Sequence, residues 1–148
     1  MGAVDYHASF DTSLAPGEAL ERICAVSDWW TKGITGASHA LGDTFTIRFG
    51  ETVVNFRITE FVSNEKIVWE VVSSHLPWLT HKTEWTGTQV VWEAGREGDK
   101  TRIRMTHVGL VPQVECYERC EAGWNFFVVQ SLQKWMNERI GMPDRQFR

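Results

Sequence analysis

A continuous stretch from about Val114 to Ile140 restricts the folds available to this chain more than any other part of its sequence. It contains no internal proline, and Gly141 and Pro143 end it. Apolar side chains recur along it at about 100° per residue, which predicts one helix about 40 Å long. Such a helix is marginally stable alone, so its apolar stripe must pack against a broad surface supplied by the rest of the chain.

The predicted stripe carries small residues where a tight core would need bulk. Gly123 and Ser131 lie on or beside it, and Glu121 lies close to its edge. Two interpretations follow. The stripe is either an ordinary core face with a close-packing glycine, or one wall of a cavity.

Upstream of this helix, the hydrophobic period changes to two. Alternation predicts strands at residues 5–10, 44–49, 52–61, 67–71, 85–93 and 101–108. Two short helices are predicted after the first strand, one over residues 15–24 and one at Trp29 and Trp30, with Ser27 as its N-cap. Residues 73–81 should be an irregular, mobile loop, because Pro77 cannot donate a sheet hydrogen bond. We predict one α+β domain over residues 1–148, a curved antiparallel sheet wrapped around the long helix.

Charge and hydropathy exclude several kinds of partner. The formal net charge is −4 and no basic stripe is visible, which argues against nucleic acid. No apolar run reaches membrane-spanning length and no secretory signal is recognisable, so we expect a cytoplasmic protein without membrane insertion. The three cysteines, Cys24, Cys116 and Cys120, are an odd number, and we expect reduced, buried thiols.

The common catalytic and metal-binding motifs are missing from the sequence. It contains no G-x-S-x-G, P-loop, G-x-G-x-x-G or H-E-x-x-H pattern. His75 and His81 have no carboxylate at ligand spacing, so we predict neither a metal nor a cofactor. His107 shares a strand face with apolar residues, which leaves two interpretations: a buried histidine with satisfied hydrogen bonds, or a group that binds a ligand or transfers a proton. Glu121 also has two interpretations: a solvated residue at the rim, or a residue that contacts a ligand.

The eight tryptophans are the most unusual feature of the composition. Large aromatic side chains either fill a core or line a pocket. Trp29, Trp30, Trp78 and Trp85 lie where the short helices and the irregular loop would form a mouth. The candidate ligand-binding residues are Trp30, Phe45, Phe56, Trp69, Trp92, Met105, His107, Glu121, Trp124 and Val128.

Several short motifs, in this order along the chain, resemble a known superfamily. They are Trp29-Trp30, Gly42-Asp43-x-Phe45, Ile67-Val68-Trp69, Lys100-Thr101-Arg102-Ile103, Thr106-His107-Val108-Gly109-Leu110 and Gly123-Trp124. They are similar to the helix-grip (START-like, SRPBCC) superfamily of lipid-transfer domains, birch-pollen allergens and polyketide cyclases. Within it, the order resembles the C-terminal domain of the activator of the heat-shock-protein-90 ATPase. The resemblance implies a cavity between sheet and helix that binds a hydrophobic molecule in many relatives, although the fold hosts several functions.

Taken together, these patterns predict an intracellular binding module for a small apolar or aromatic ligand, such as a lipid or a polyketide. One alternative is a cyclase or hydratase that uses His107 with Glu121 as general acid and base. The other is a chaperone-binding interaction domain, which is weakened because only a few residues precede the first strand. A homodimer remains open.

Overall fold

The computed structural model describes residues 4–144, and its elements follow the predicted order. Strand β1 (Tyr6–Thr12) precedes two short helices, α1 (Pro16–Cys24) and α2 (Val26–Trp29). Six strands follow: β2 (Ile34–Gly36), β3 (Thr44–Phe49), β4 (Thr52–Val62), β5 (Lys66–His75), β6 (Gln89–Glu97) and β7 (Lys100–Val108). The C-terminal helix has three consecutive parts: α3 (Tyr117–Trp124), a π-helical segment (Asn125–Leu132) and α4 (Gln133–Glu138).

The strands form one antiparallel sheet in the order β1-β7-β6-β5-β4-β3-β2. Strand β1 therefore returns to pair with β7, which places Tyr6 opposite His107. Register shifts interrupt the β4–β5 pairing between Asn55 and Phe56 and again between Ile58 and Glu60. Because such bulges bend a strand and increase its twist, the sheet can curve around the helix. The α+β prediction is confirmed.

The core lies between the concave face of the sheet and the C-terminal helix. Alternate residues of the strands point inward, as the period of two predicts, and Trp69, Trp92, Ile103 and Met105 are fully buried. Helix residues at intervals of four oppose them: Cys120, Trp124, Val128, Leu132 and Met136, all buried. Trp124 points into the core, as predicted.

The C-terminal helix differs from the regular α-helix predicted over residues 115–139, because its middle eight residues form the π-helical segment. Its buried side chains explain the difference. They recur every four residues, and in an α-helix each such step rotates the side chain by about 40° away from the sheet. The wider turns of a π-helix rotate it back, so the whole stripe stays on one face.

Several strand boundaries also differ from the prediction. Strand β5 extends through His75, which pairs with Val53 of β4, so His75 does not belong to the irregular loop. Strand β6 begins at Gln89 rather than at Trp85, and the three-residue β2 was not predicted. Residue Ala25, not Ser27, precedes the first turn of α2.

The cysteine prediction was wrong for two of the three residues. Cys116 and Cys120 form a disulfide across the start of the C-terminal helix, whereas Cys24 is free and buried. Residues four apart share a helix face, and the Cα–Cα distance of 5.6 Å lies within the range that a disulfide spans.

Candidate functional site

A cavity of about 680 Å³ opens where the β3–β4 hairpin, the loop after β5 and the first turns of the C-terminal helix meet. Its walls are mainly aromatic. The six lining rings are Trp30, Phe49, Trp78, Trp85, Trp124 and Phe127. A pocket of this size with a mostly apolar lining has the properties of a small-molecule site.

Trp30 is the central ring of the cavity wall, because α2 holds it against both the sheet and the helix. Its centroid lies 4.9 Å from that of Trp124, 6.2 Å from that of Phe49 and 6.2 Å from that of Trp69. Trp85 stacks on Trp124 at 5.9 Å with an interplanar angle of 13°. These contacts fix the rings in place, so the cavity is lined by a pre-formed surface.

Gly123 is the point at which the helix leaves room for the cavity. It is buried and lines the cavity beside Trp124. Because glycine has no side chain, the cavity reaches the helix backbone at this position. Ser131, the other small residue of the stripe, has a different role. It is fully buried, and its hydroxyl donates to the carbonyl of Trp29 at 2.6 Å.

Four charged residues border the cavity: Arg48, Glu51, Arg119 and Asp144. The guanidinium of Arg119 lies over the ring of Trp78, 4.6 Å from its centroid, as a cation–π pair. The carboxylate of Asp144 accepts hydrogen bonds from the hydroxyl of Thr31 and, at 2.9 Å, from the backbone N–H of Lys32. The cavity therefore has an aromatic interior and a charged rim.

His107 lies in the core behind the cavity wall, fully buried, and does not line the cavity. The indole N–H of Trp124 donates to its Nδ1 at 3.0 Å. Because the hydroxyl of Thr88 donates to the carbonyl of Trp85 at 2.6 Å, the Nε2–H of His107 donates to that hydroxyl oxygen at 2.9 Å. Both ring nitrogens are thus engaged in the neutral tautomer.

The environment of His107 also opposes protonation. Burial lowers its pKa from 6.5 to about 3. A second proton would have to displace the hydrogen bond from Trp124, since Nδ1 is the acceptor. The imidazole therefore positions Trp124 and Trp85, two rings of the cavity wall, and stays neutral near pH 7.

The remaining predicted site residues divide into core and surface positions. Trp30 and Trp124 line the cavity, while six others pack behind it: Phe45, Phe56, Trp69, Trp92, Met105 and Val128, all buried. Glu121 is half-buried elsewhere on the helix and accepts a hydrogen bond from the hydroxyl of Tyr117 at 3.2 Å. Burial, and then the charge of Glu121, raise the pKa of nearby Tyr6. Glu121 does not line the cavity.

Sequence reasoning missed much of the cavity lining. Phe49, Arg48 and Val54 belong to a hairpin that alternation identifies as ordinary sheet, and Arg119 lies on the exposed side of the helix stripe. The available signal was the excess of tryptophan near the short helices and the irregular loop, which indicated Trp30, Trp78 and Trp85 as a mouth.

Within residues 4–144, no three His, Cys, Asp or Glu side chains are grouped so that they could hold a metal ion. Nor does this range contain a helix that is both long and apolar enough to cross a membrane.

Solved structures supply the comparison with known proteins, since no family model and no curated protein matches the chain. The Aha1 dimer from Colwellia psychrerythraea superimposes with a TM-score of 0.72 at 18% identity, over 93% of this chain and 97% of that one. Protein MLL2253 from Mesorhizobium loti superimposes with a TM-score of 0.69 at 16% identity, over 93% of this chain and 100% of that one. DynU16, from the dynemicin biosynthetic locus, gives 0.64 at 15% identity over 95% of this chain, which spans 49% of DynU16.

The chain has the helix-grip fold. The resemblance inferred from its short motifs is thereby confirmed at the level of the fold. At these identities the likeness shows the helix-grip architecture alone, and one architecture serves many activities. The function of this chain is therefore inferred from its cavity.

Proposed function

We propose that this helix-grip domain binds a small aromatic or otherwise apolar molecule in the cavity. The observation that carries the proposal is the cavity of about 680 Å³ lined by six aromatic rings. Protein interiors are otherwise close-packed, with few voids larger than a water molecule. A pre-formed apolar space of this size is the kind of site that small hydrophobic ligands occupy.

The cyclase or hydratase alternative has less support. A general acid or base has to reach the bound substrate, directly or through one water. His107 lies behind the wall with both ring nitrogens engaged, and Glu121 is directed elsewhere. We therefore propose a binding function without assigning a catalytic residue.

A titration with N-phenyl-1-naphthylamine, a neutral aromatic dye whose emission rises in apolar surroundings, tests the proposal. The Gly123→Leu variant should fill the cavity and weaken dye binding about tenfold, which corresponds to about 1.4 kcal/mol. Overpacking should cost about 1–3 kcal/mol of stability, so the variant remains folded. Ala122→Leu is the matched control, because it adds the same side chain at the neighbouring, exposed position.

The two variants separate a cavity from a solid core. If the dye binds the native protein, Gly123→Leu and Ala122→Leu equally, or binds none of them, the proposal is wrong. Native mass spectrometry of the purified protein supplies a dye-independent readout, since a co-purified molecule should be lost from Gly123→Leu and kept in Ala122→Leu.

The proposal extends to assembly. The structurally similar Aha1 from Colwellia psychrerythraea is a dimer, which supports a homodimer for this chain, a possibility that the sequence leaves open. Light scattering coupled to size exclusion would measure its mass directly. A chaperone partner has no further support from the described residues, and we do not include it.

A further inference from the structure

We infer that the occupant of the cavity is an aromatic acid, whose anionic head group is bound by Arg119 at the rim. This inference rests on the proposed function and specifies its ligand class.

Arg119 holds its guanidinium at the mouth of the cavity. It lies on α3 and is held over Trp78, 4.6 Å from the ring centroid. Trp78 itself lines the cavity and is 40% exposed, so this pair stands at the mouth. Stacking leaves the edge of the planar guanidinium, with its N–H donors, available to a carboxylate.

Arg119 has no carboxylate partner among the described residues. Within residues 4–144 its guanidinium is not in an ion pair, in contrast to that of Arg102, which pairs with Asp11. Arg48 lines the other wall, but strand alternation directs its side chain to the face of β3 opposite Ile47 and Phe49, away from the cavity. The guanidinium of Arg119 therefore stands at the mouth of an apolar cavity without a carboxylate partner in residues 4–144.

The acidic residues at the rim do not pair with Arg119. The carboxylate of Asp144 accepts hydrogen bonds from Thr31 and Lys32. Glu51 is exposed in the β3–β4 turn and makes no ion pair with Arg119. A ligand with an aromatic body and one negative charge would complement both the rings and the guanidinium of Arg119.

Competition between two near-isosteric molecules tests the inference. The neutral dye N-phenyl-1-naphthylamine is bound first, and 2-naphthoate and 2-naphthamide are compared as displacing ligands. We expect the carboxylate to displace the dye about five times more effectively than the amide at low ionic strength. The preference should shrink as salt is added, because exposed charges are screened.

Charge-removing variants assign the effect to the rim. In Arg119→Gln the preference for naphthoate over naphthamide should fall to about one. Arg57→Gln is the matched control, because Arg57 is an exposed cation on the adjacent strand β4 that does not line the cavity. It should keep the full preference. Glu51→Gln should increase the preference, because it removes a like charge from the rim.

The outcomes separate this inference from the proposed function. If the dye does not bind, the proposed function fails. If the dye binds but naphthoate and naphthamide displace it equally, or Arg57→Gln lowers the preference as much as Arg119→Gln does, the acid-binding inference alone is overturned.

Discussion

Two buried polar side chains, Ser131 and His107, have specific partners drawn from distant parts of the chain. Ser131 joins the carbonyl of Trp29 to the N–H of Met142, at 2.6 Å and 2.7 Å. His107 joins Trp124 to Thr88. The sequence shows that polar residues interrupt apolar faces, but it cannot show their partners, because these lie 11–102 residues away.

The buried imidazole makes stability depend on pH in a defined window. The pKa of His107 is lowered by burial from 6.5 to about 3, so the unfolded chain binds more protons than the folded chain between these values. Stability should be fully present above pH 6.5 and should fall as the solution is acidified below it. The slope contributed by one such group is at most about 1.4 kcal/mol per pH unit.

Urea unfolding at several pH values between about 5 and 7 would measure this slope. In His107→Gln the contribution of His107 to this slope should disappear. The stability of the variant near pH 7 should also fall by about 1–3 kcal/mol, because the hydrogen bonds of His107 are lost. His75→Gln, an exposed histidine at the end of β5, should behave like the native protein. A native slope that His107→Gln leaves unchanged would contradict the prediction.

Among the elements, the strands were the most predictable and the C-terminal helix the least. Alternation located β3, β4 and β7 to within about two residues, because one face of each strand is buried. Strand β2 has only three residues and no alternation to detect. The π-helical segment did leave a signal, the strict four-residue spacing from Cys120 to Met136, which is longer than an α-helical turn.

The four-residue spacing predicts that shortening and lengthening the C-terminal helix by one residue affect the stability of the domain differently. Deleting the exposed Gln130 would leave the buried residues four, three and four apart after Trp124, which suits a regular α-helix. The deletion variant should therefore fold, with Leu132 and Met136 still facing the sheet. Inserting one alanine after Gln130 should rotate them away and destabilise the domain by several kcal/mol, about the cost of losing buried side chains.

Circular dichroism and thermal melting of both length variants would check the π-helix prediction. The inserted alanine has high helix propensity, so propensity alone would not account for a loss of stability. Equal melting temperatures for the deletion and the insertion would show that the spacing does not control the helix geometry.

At the scale of the whole molecule, residues 141–144 return from the C-terminal helix to the two short helices. The N–H of Asp144 donates to the carbonyl of Trp30 at 2.8 Å, and its carboxylate reaches Thr31. Gly141 permits this approach, because a Cβ there would lie 2.0 Å from the carbonyl oxygen of Asp28. Since Asp144 also borders the cavity, this contact closes part of its rim.

Gly141→Ala should consequently lower the free energy of unfolding by about 1–3 kcal/mol, because the backbone of α2 cannot move aside without disturbing Trp29 and Trp30. Gly95→Ala on β6 is a suitable control, since an added Cβ there meets no atom within 4 Å. Urea denaturation of the two variants gives the comparison, and similar midpoints would refute this account of the C-terminal contact.

The cavity was harder to predict than the fold for a related reason. The fold follows from periodicity, which each segment carries by itself. The cavity depends on volumes contributed by a hairpin, a loop, two helices and Asp144, so no single segment reveals it. Gly123 indicated the helix wall correctly, whereas the equally small Ser131 proved to be a hydrogen-bonding residue.

The aromatic packing also has an optical consequence. Six tryptophans are linked through neighbouring rings: Trp92, Trp69, Trp30, Trp29, Trp124 and Trp85. Trp29 and Trp124 both adjoin Trp30, and the centroids of linked rings are 4.9–6.2 Å apart. Excitation absorbed by any of them can migrate among the others before emission. Three of the six line the cavity. A quencher bound there would therefore also reduce the emission that follows absorption by tryptophans deep in the core. Intrinsic emission from this domain should therefore be strongly depolarised, and its intensity should report the occupancy of one site rather than an average over eight indoles.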